Sequence, residues 1–430
     1  MKLNDWIQRT ASKPIHRGIG LMSGTALDGL DIALCQLEGY AYEQKVNLLE
    51  FTSIAYPSQW RRRLEALCFQ ATLDALELTL VHTEFGFYMG EQVKQALERW
   101  GVPRASVDFI ASHGQTLYHA PRSWHRQERP HATLQIGDGD ALASASGMLT
   151  VSDFRTAFTA IGHEGAPLVP FVEELLFRSP TASRMLLNIG GIANITYLPP
   201  RQAGGHWQAT DTGPGNTLIN RLVQTYWPDR LFDEGGAIAA SESPHQAWLE
   251  ALLQDPWFNL PLPRSTGPEY FNLEWMRSCL PMGVALPSPE VQIATATALT
   301  AHTIAKAIRS YLQDPQVGGI GKSAKGAYST GESKAEFSAS REHSSSALSS
   351  REPLSVYLSG GGVHNATLLR GMEGVLPEVR WCRLEELGWA ADAKEALAFA
   401  VLAHESLFGD GVEVAGKRVY PGKISRPSAG

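Results

Sequence analysis

A chain of 430 residues, 43% hydrophobic and 19% charged, is long enough for two domains of ordinary size and has the make-up of a globular enzyme. Its formal net charge of −7 argues against a nucleic-acid binder, which carries a basic face. The four cysteines, Cys35, Cys68, Cys279 and Cys382, form no C-x-x-C pair and fit a reducing compartment better than a disulfide framework or a zinc site. With no signal-like apolar core in "MKLNDWIQRTASKP" and no apolar run of membrane-spanning length, a cytoplasmic protein without a membrane partner is expected.

In chain order, "HRGIGLM", "LDIALCQL" and "VNLLEFTSIAY" predict a meander of three strands, the first two joined by a tight turn at Asp28-Gly29. Helical periodicity follows in "WRRRLEALCFQ" and "LVHTEFGFYMGEQVKQALERW". Then come short strands in "VDFIAS" and "ATLQIG", a small helix around "GDALASA" and the strand "MLTVSDF". Near Pro180 the pattern starts again. "RMLLNIGGIANITYLPP" reads as strand, glycine turn, strand, and "HWQATDTGPGN" leads into the helix "NTLINRLVQTYW". "SVYLSGGGVHN" is a strand ending in glycines, and "DAKEALAFAVLAHESLF" is a closing helix. The class is α/β with an architectural rather than a fixed-period repeat. Residues 314–352, rich in Ser, Gly, Lys and Ala, read as a disordered insertion. Its "QVGGIGKSA" is a decoy for a P-loop, because Gln316 replaces the first glycine and no strand precedes it.

Five glycine-rich turns fall at strand ends, in "MSGTALDG", "NIGGIAN", "TDTGPGN", "FDEGGAIA" and "LSGGGVHN". Each alone is explained as turn chemistry. Together they suggest backbone N–H groups approaching the phosphates of a nucleotide held between two related domains. A second, polar set also sits at strand ends, where α/β folds bind ligands: His113, Gln115 and Thr116 in "SHGQTLYH", Asp153 and Arg155 in "SDFR", and Glu164. For these the plainer alternatives are a surface ion pair between Asp153 and Arg155 and a structural His113. Asp211, just before a Gly-Pro-Gly turn, is the first choice for a general base. Helix capping is the alternative, for which Asn216 is better placed.

In this order the motifs resemble the anhydro-N-acetylmuramic acid kinase family of bacteria. The resemblance rests on "GLMSGTALDGLDIAL", "ASHGQTLYHAP", "TLQIGDGDALA", "SDFR", "GAPLVPFVEELLF", "LNIGGIANITYL", "DTGPGNTLIN", "STGPEYFN", "LSGGGVHN" and "DAKEALAFAVLAHE", spanning residues 18 to 405. It implies two actin-like (ribonuclease H-like) domains, 15–180 and 181–425, with ATP and Mg²⁺ in the interdomain cleft. The implied reaction is hydrolytic opening of 1,6-anhydro-N-acetylmuramic acid with phosphorylation of O6, in peptidoglycan recycling. An amino sugar is thus the expected small-molecule partner, and a homodimer is left open.

Carried over residue by residue, the resemblance makes Gly24, Thr25, Ala26, Leu27, Asp28, Gly29, Leu30 and Asp31 the first phosphate loop. Further ATP contacts fall to Gly190, Gly191, Asn194, Gly213, Gly215, Asn216, Gly360, Gly361 and Gly362. Asp211 is the implied base, and His113, Gln115, Thr116, Asp153, Arg155 and Glu395 are the implied sugar contacts. Some positions depart from the family pattern. Ala26 stands for a common serine, His163 and Glu164 alter the loop before "GAPL", "RSWHRQERPH" looks lengthened, and Met22 replaces the superfamily's acid. Asp28 and Asp31 are then the candidates to organise Mg²⁺. Two rivals remain: a sugar kinase acting on an ordinary hydroxyl, and an actin-like or chaperone ATPase module.

Overall fold

The computed structural model describes residues 3–10, 12–24, 27–70, 72–122, 125, 128–313, 353–414 and 416–427. Thr25 and Ala26 of the first loop, and the expected insertion at 314–352 with its decoy, lie outside the described residues. The chain divides into two compact units, Met1–Arg178 with Arg383–Gly430, and Ser179–Cys382.

In the first unit, β1 (Ile15–Ser23), β2 (Gly29–Glu38) and β3 (Lys45–Ala55) form an antiparallel meander. On the other side of β1, β4 (Phe109–Ala120) and then β6 (Thr150–Ser152) pair in parallel. Strand β5 (Ala132–Ile136) lies antiparallel to β4, and a last short strand, Lys423–Ser425, borders β6. The register sets Ile19 opposite Leu34 and Leu21 opposite Ile32, so these residues share one face. That face is buried against Leu64 of the helix Ser58–Leu67 and Phe85, Met89 and Val93 of the helix Ala75–Trp100. The opposite face carries Gly20. A Cβ there would sit 1.8 Å from the carbonyl oxygen of Ala396, so only glycine lets the helix Lys394–Leu407 lie this close. This contact corrects the expected domain of 181–425. The chain returns at Arg383 to the first unit, because the closing helix is buried nearly all round and covers β1 and β2.

The second unit repeats the arrangement. Strands β7 (Arg184–Ile189), β8 (Ile192–Leu198) and β9 (Gln208–Pro214) form an antiparallel meander, β10 (Ser355–Ser359) pairs in parallel with β7, and β11 (Arg380–Arg383) lies outside β10. The order β9-β8-β7-β10-β11 matches β3-β2-β1-β4-β6 strand for strand. Met185, Leu187 and Ile189 pack on Ile304 and Ile308 of the helix Pro289–Gln313, while Trp248, Phe258 and Phe271 centre a second apolar cluster. Both units have the strand order of the actin-like, ribonuclease H-like fold.

Candidate active site

The first loop is longer than a two-residue turn. Ser23 already pairs with Leu30, so Gly24, Leu27 and Asp28 lie beyond the paired strands and Gly29 belongs to β2. The Leu27 N–H donates to the Gly24 carbonyl at 3.3 Å, with Leu27 in the left-handed region at φ +53°. The side chains of Leu27 and Leu30 enter the core, and a Cβ on Gly29 would meet the Ile54 carbonyl at 2.6 Å. These three residues therefore have structural duties and offer a ligand only backbone. Gly24 differs, with nothing within 4 Å of where its Cβ would be. Asp31 points to the Gly20 face. Burial pushes its carboxyl up to about 6, and the charges of Asp28, Glu395 and Asp392 add to the rise against a hydrogen bond from Ser53.

His113, Gln115 and Thr116 lie inside β4 rather than after it. Between Leu21–Ser112 and Ser23–Gln115 the register slips by one residue, placing a bulge at His113-Gly114. His113 Nδ1 donates to the Gly114 carbonyl at 2.9 Å, and Nε2 accepts from Arg155 Nε at 3.1 Å and Nη2 at 3.0 Å. Burial and the Arg155 charge push His113 down to about 3, so the ring is neutral with its proton on Nδ1. Its task is to hold Arg155, which also donates through Nη1 to the Gly165 carbonyl at 2.9 Å. Gln115 is occupied by the Ser23 hydroxyl, which also meets the Tyr56 hydroxyl at 2.6 Å. Thr116 Oγ1 accepts from Gln135 Nε2 at 3.4 Å.

The plainer alternative, a surface ion pair between Asp153 and Arg155, does not form. Asp153 instead takes Lys423 at 2.5 Å and the Thr156 hydroxyl. Burial holds the Glu395 carboxyl above its usual range, opposed by the charges of Lys394 and Arg155. Beside it, Lys394 Nζ lies 2.8 Å from Glu173 Oε1, with both side chains at most 5% exposed. Among the described residues no group of three or more His, Cys, Asp or Glu could hold a metal ion by itself.

In the second unit Asp211 sits within β9, not beyond its end. Ala193 pairs with Gly213 and Asn194 with Asp211, so Thr212 is the extra residue of a second bulge. The Asp211 N–H donates to the Arg264 carbonyl at 2.9 Å, and its Oδ2 accepts from the Thr266 N–H at 2.8 Å. Burial pushes the carboxyl up to about 6, against the Thr266 hydrogen bond and the Arg264 charge, while Glu269 adds to the rise. Arg264 Nη1 donates to the carbonyls of Trp257 and Leu260, and its guanidinium lies 4.2 Å over the Trp257 ring.

The glycine turns sort into two kinds. The N–H groups of Gly215 and Asn216 are spent on the carbonyls of Gly191 and Gly190, both at 2.8 Å, so these two residues cannot donate backbone to a phosphate as expected. Asn216 takes the N-cap position of the following helix, Thr217–Tyr226, as expected, but makes no side-chain capping bond; its side-chain amide donates to the Ile189 carbonyl at 3.1 Å. A Cβ on Gly213 would meet Phe258 at 2.8 Å, and on Gly360 or Gly362 it would meet Ile189 at 2.8 and 2.3 Å. Gly190 and Gly361 have room, with nearest neighbours at 3.5 and 4.0 Å. Gly191 falls between, 2.9 Å from the Thr217 hydroxyl. Sequence reasoning gave no role to Arg264 or Thr266. The recurrence of Thr-Gly-Pro in "DTGPGN" and "STGPEY" is the signal that could have paired the two segments.

Two like α/β units with glycine turns at their strand ends define the actin-like class of fold. The family model for anhydro-N-acetylmuramic acid kinase matches residues 16–327 and 332–412, leaving out only 328–331 of the stretch set apart as an insertion. The chain belongs to the anhydro-N-acetylmuramic acid kinase family. The anhydro-N-acetylmuramic acid kinase of Pseudoalteromonas atlantica is 35% identical over 429 residues, 98% of each chain. That of Caldanaerobacter subterraneus is 32% identical over 409 residues, 94% of each. Among solved structures, the activator of the 2-hydroxyisocaproyl-CoA dehydratase from Clostridium difficile aligns over 90% of this chain and 94% of its own, at 10% identity and a TM-score of 0.38. A likeness that slight carries no argument about what this chain binds. Among the described residues no helix is long and apolar enough to cross a membrane.

Proposed function

We propose that the enzyme transfers the γ-phosphate of ATP to O6 of 1,6-anhydro-N-acetylmuramic acid while water opens the anhydro bridge. The observation that supports this most is the Asp211 carboxylate, anchored on one oxygen and pushed up to about 6, a suitable base near neutral pH. Asp211 takes a proton from water, the water oxygen bonds to C1, and the C1–O6 bond breaks. O6 then takes the phosphoryl group, giving N-acetylmuramic acid 6-phosphate and ADP. An O6 held beside the phosphorus needs no further diffusion, which lowers the barrier. Arg155, held by His113 and the Gly165 carbonyl, and Glu395 supply a donor and an acceptor for sugar oxygens. Gly24, Gly190 and Gly361 offer the open backbone that phosphates require. Asp28 and Asp31 are the carboxylates that would hold Mg²⁺, which would offset charge on the transferring group. Such chemistry suits salvage of peptidoglycan fragments in the cytoplasm.

Incubation with ATP, Mg²⁺ and the anhydro sugar in ¹⁸O-labelled water should yield a ring-opened 6-phosphate carrying one ¹⁸O at C1. Equal phosphorylation of the ring-opened sugar would instead favour an ordinary sugar kinase. The loop assignment has its own check. A Cβ at Gly24 has nothing within 4 Å, so Gly24→Val should weaken ATP binding about tenfold or more with Tm little changed. Unchanged affinity with a collapsed Tm would make the loop a structural turn.

A further inference from the structure

We propose that Thr266 holds the attacking water against Asp211 through its side-chain hydroxyl. The proposal rests on the assignment of Asp211 as the base. The Thr266 N–H fixes Asp211 Oδ2 at 2.8 Å, so this residue is tied to the carboxylate by its own backbone. Its Oγ1 is buried and has no hydrogen-bond partner. A hydroxyl so placed is costly unless something fills it, which makes it a position that calls for a ligand or water. Among the described residues no hydrogen bond reaches Asp211 Oδ1, the oxygen left to accept a proton.

A water between these two oxygens has the two polar partners it needs. One of its hydrogens goes to Asp211 Oδ1 and the other to Thr266 Oγ1, leaving a lone pair for C1. When the O–C1 bond forms, the first proton passes to Asp211 and the second stays on the new hydroxyl. Threonine suits this task because branching at Cβ restricts χ1 and keeps Oγ1 in place. The neighbouring Arg264 is less suited. Its Nη1 is bound to two carbonyls and its guanidinium is laid over Trp257. Backbone and side chain of one residue thus orient the base and its substrate water together.

Thr266→Val keeps the branched shape and the backbone N–H while removing the hydroxyl. It should lower kcat by about 100-fold, the cost of a misplaced nucleophile, with KM for ATP and sugar unchanged. Thr266→Ser should restore most of the rate. The rise of kcat through about pH 6 should persist in Thr266→Val, because Asp211 still titrates. Asp211→Asn combined with Thr266→Val should be no slower than Asp211→Asn alone. Should the valine variant fail to fold, Thr266→Ala removes the same hydroxyl and is read in the same way. Wild-type kcat in a folded Thr266→Val or Thr266→Ala, beside a dead Asp211→Asn, would overturn the proposal and leave the base intact. Normal turnover of Asp211→Asn would remove the base, and the water site with it.

Discussion

Asp211→Asn should lower kcat by about 10²–10⁴-fold while KM for ATP and for the anhydro sugar stays nearly constant. The amide keeps the size of the carboxylate, and its oxygen can still accept the Thr266 N–H. What disappears is the basic oxygen, an interaction realised mainly in the transition state. Ring opening and phosphorylation should fall together, since one proton removal starts both. The pH dependence follows from the same group. The carboxylate is the active form and its pKa is raised to about 6, so wild-type kcat should climb with pH through about 6 and level off above it. The asparagine variant should lack that limb. Phosphorylation that survives the loss of ring opening would separate the two steps and rule out the coupled mechanism.

Lys394→Met should cost about 3–5 kcal/mol of stability, read as a lower denaturant midpoint. The ammonium is the hydrogen-bond partner of Glu173 at 2.8 Å, and both side chains are almost wholly out of water. Glu173 Oε2 already lacks a partner, so removing Lys394 would leave a buried carboxylate with nothing to offset its desolvation. Removing both charges, as Glu173→Leu with Lys394→Met, should recover most of the loss. A single variant as stable as wild type would show that solvent reaches this pair.

The two meanders were legible, because their signals are local. Alternating apolar runs and glycine turns mark β1 to β3 and again β7 to β9, and each meander forms where its run predicts. The bulges were not legible. Gly114 and Gly213 are ordinary glycines in sequence, and only the pairing register shows that each lies at or next to a bulge beside a candidate residue. Partnerships across long chain separations were hidden for the same reason. Arg155 could equally have paired with Asp153, two residues away, as with His113, 42 residues away. Glu173 and Lys394 are 221 residues apart, and nothing local in either segment points to the other. The glycines show the limit most clearly. Gly24 and Gly362 look alike in sequence, yet a Cβ on the first meets nothing and on the second strikes Ile189 at 2.3 Å.

The return of the closing helix to β1 has a consequence for synthesis. A ribosome releases the first unit's strands long before the helix Lys394–Leu407 that covers one face of them, whereas Ser179–Cys382 emerges as one unbroken stretch. At about 5–20 residues per second the delay is on the order of tens of seconds, far longer than collapse of a small domain requires. The unit encoded second can therefore finish first. Through that interval the groove beside Gly20, shaped to receive the Ala396 carbonyl, is a surface that chaperones can hold and other nascent chains can misuse.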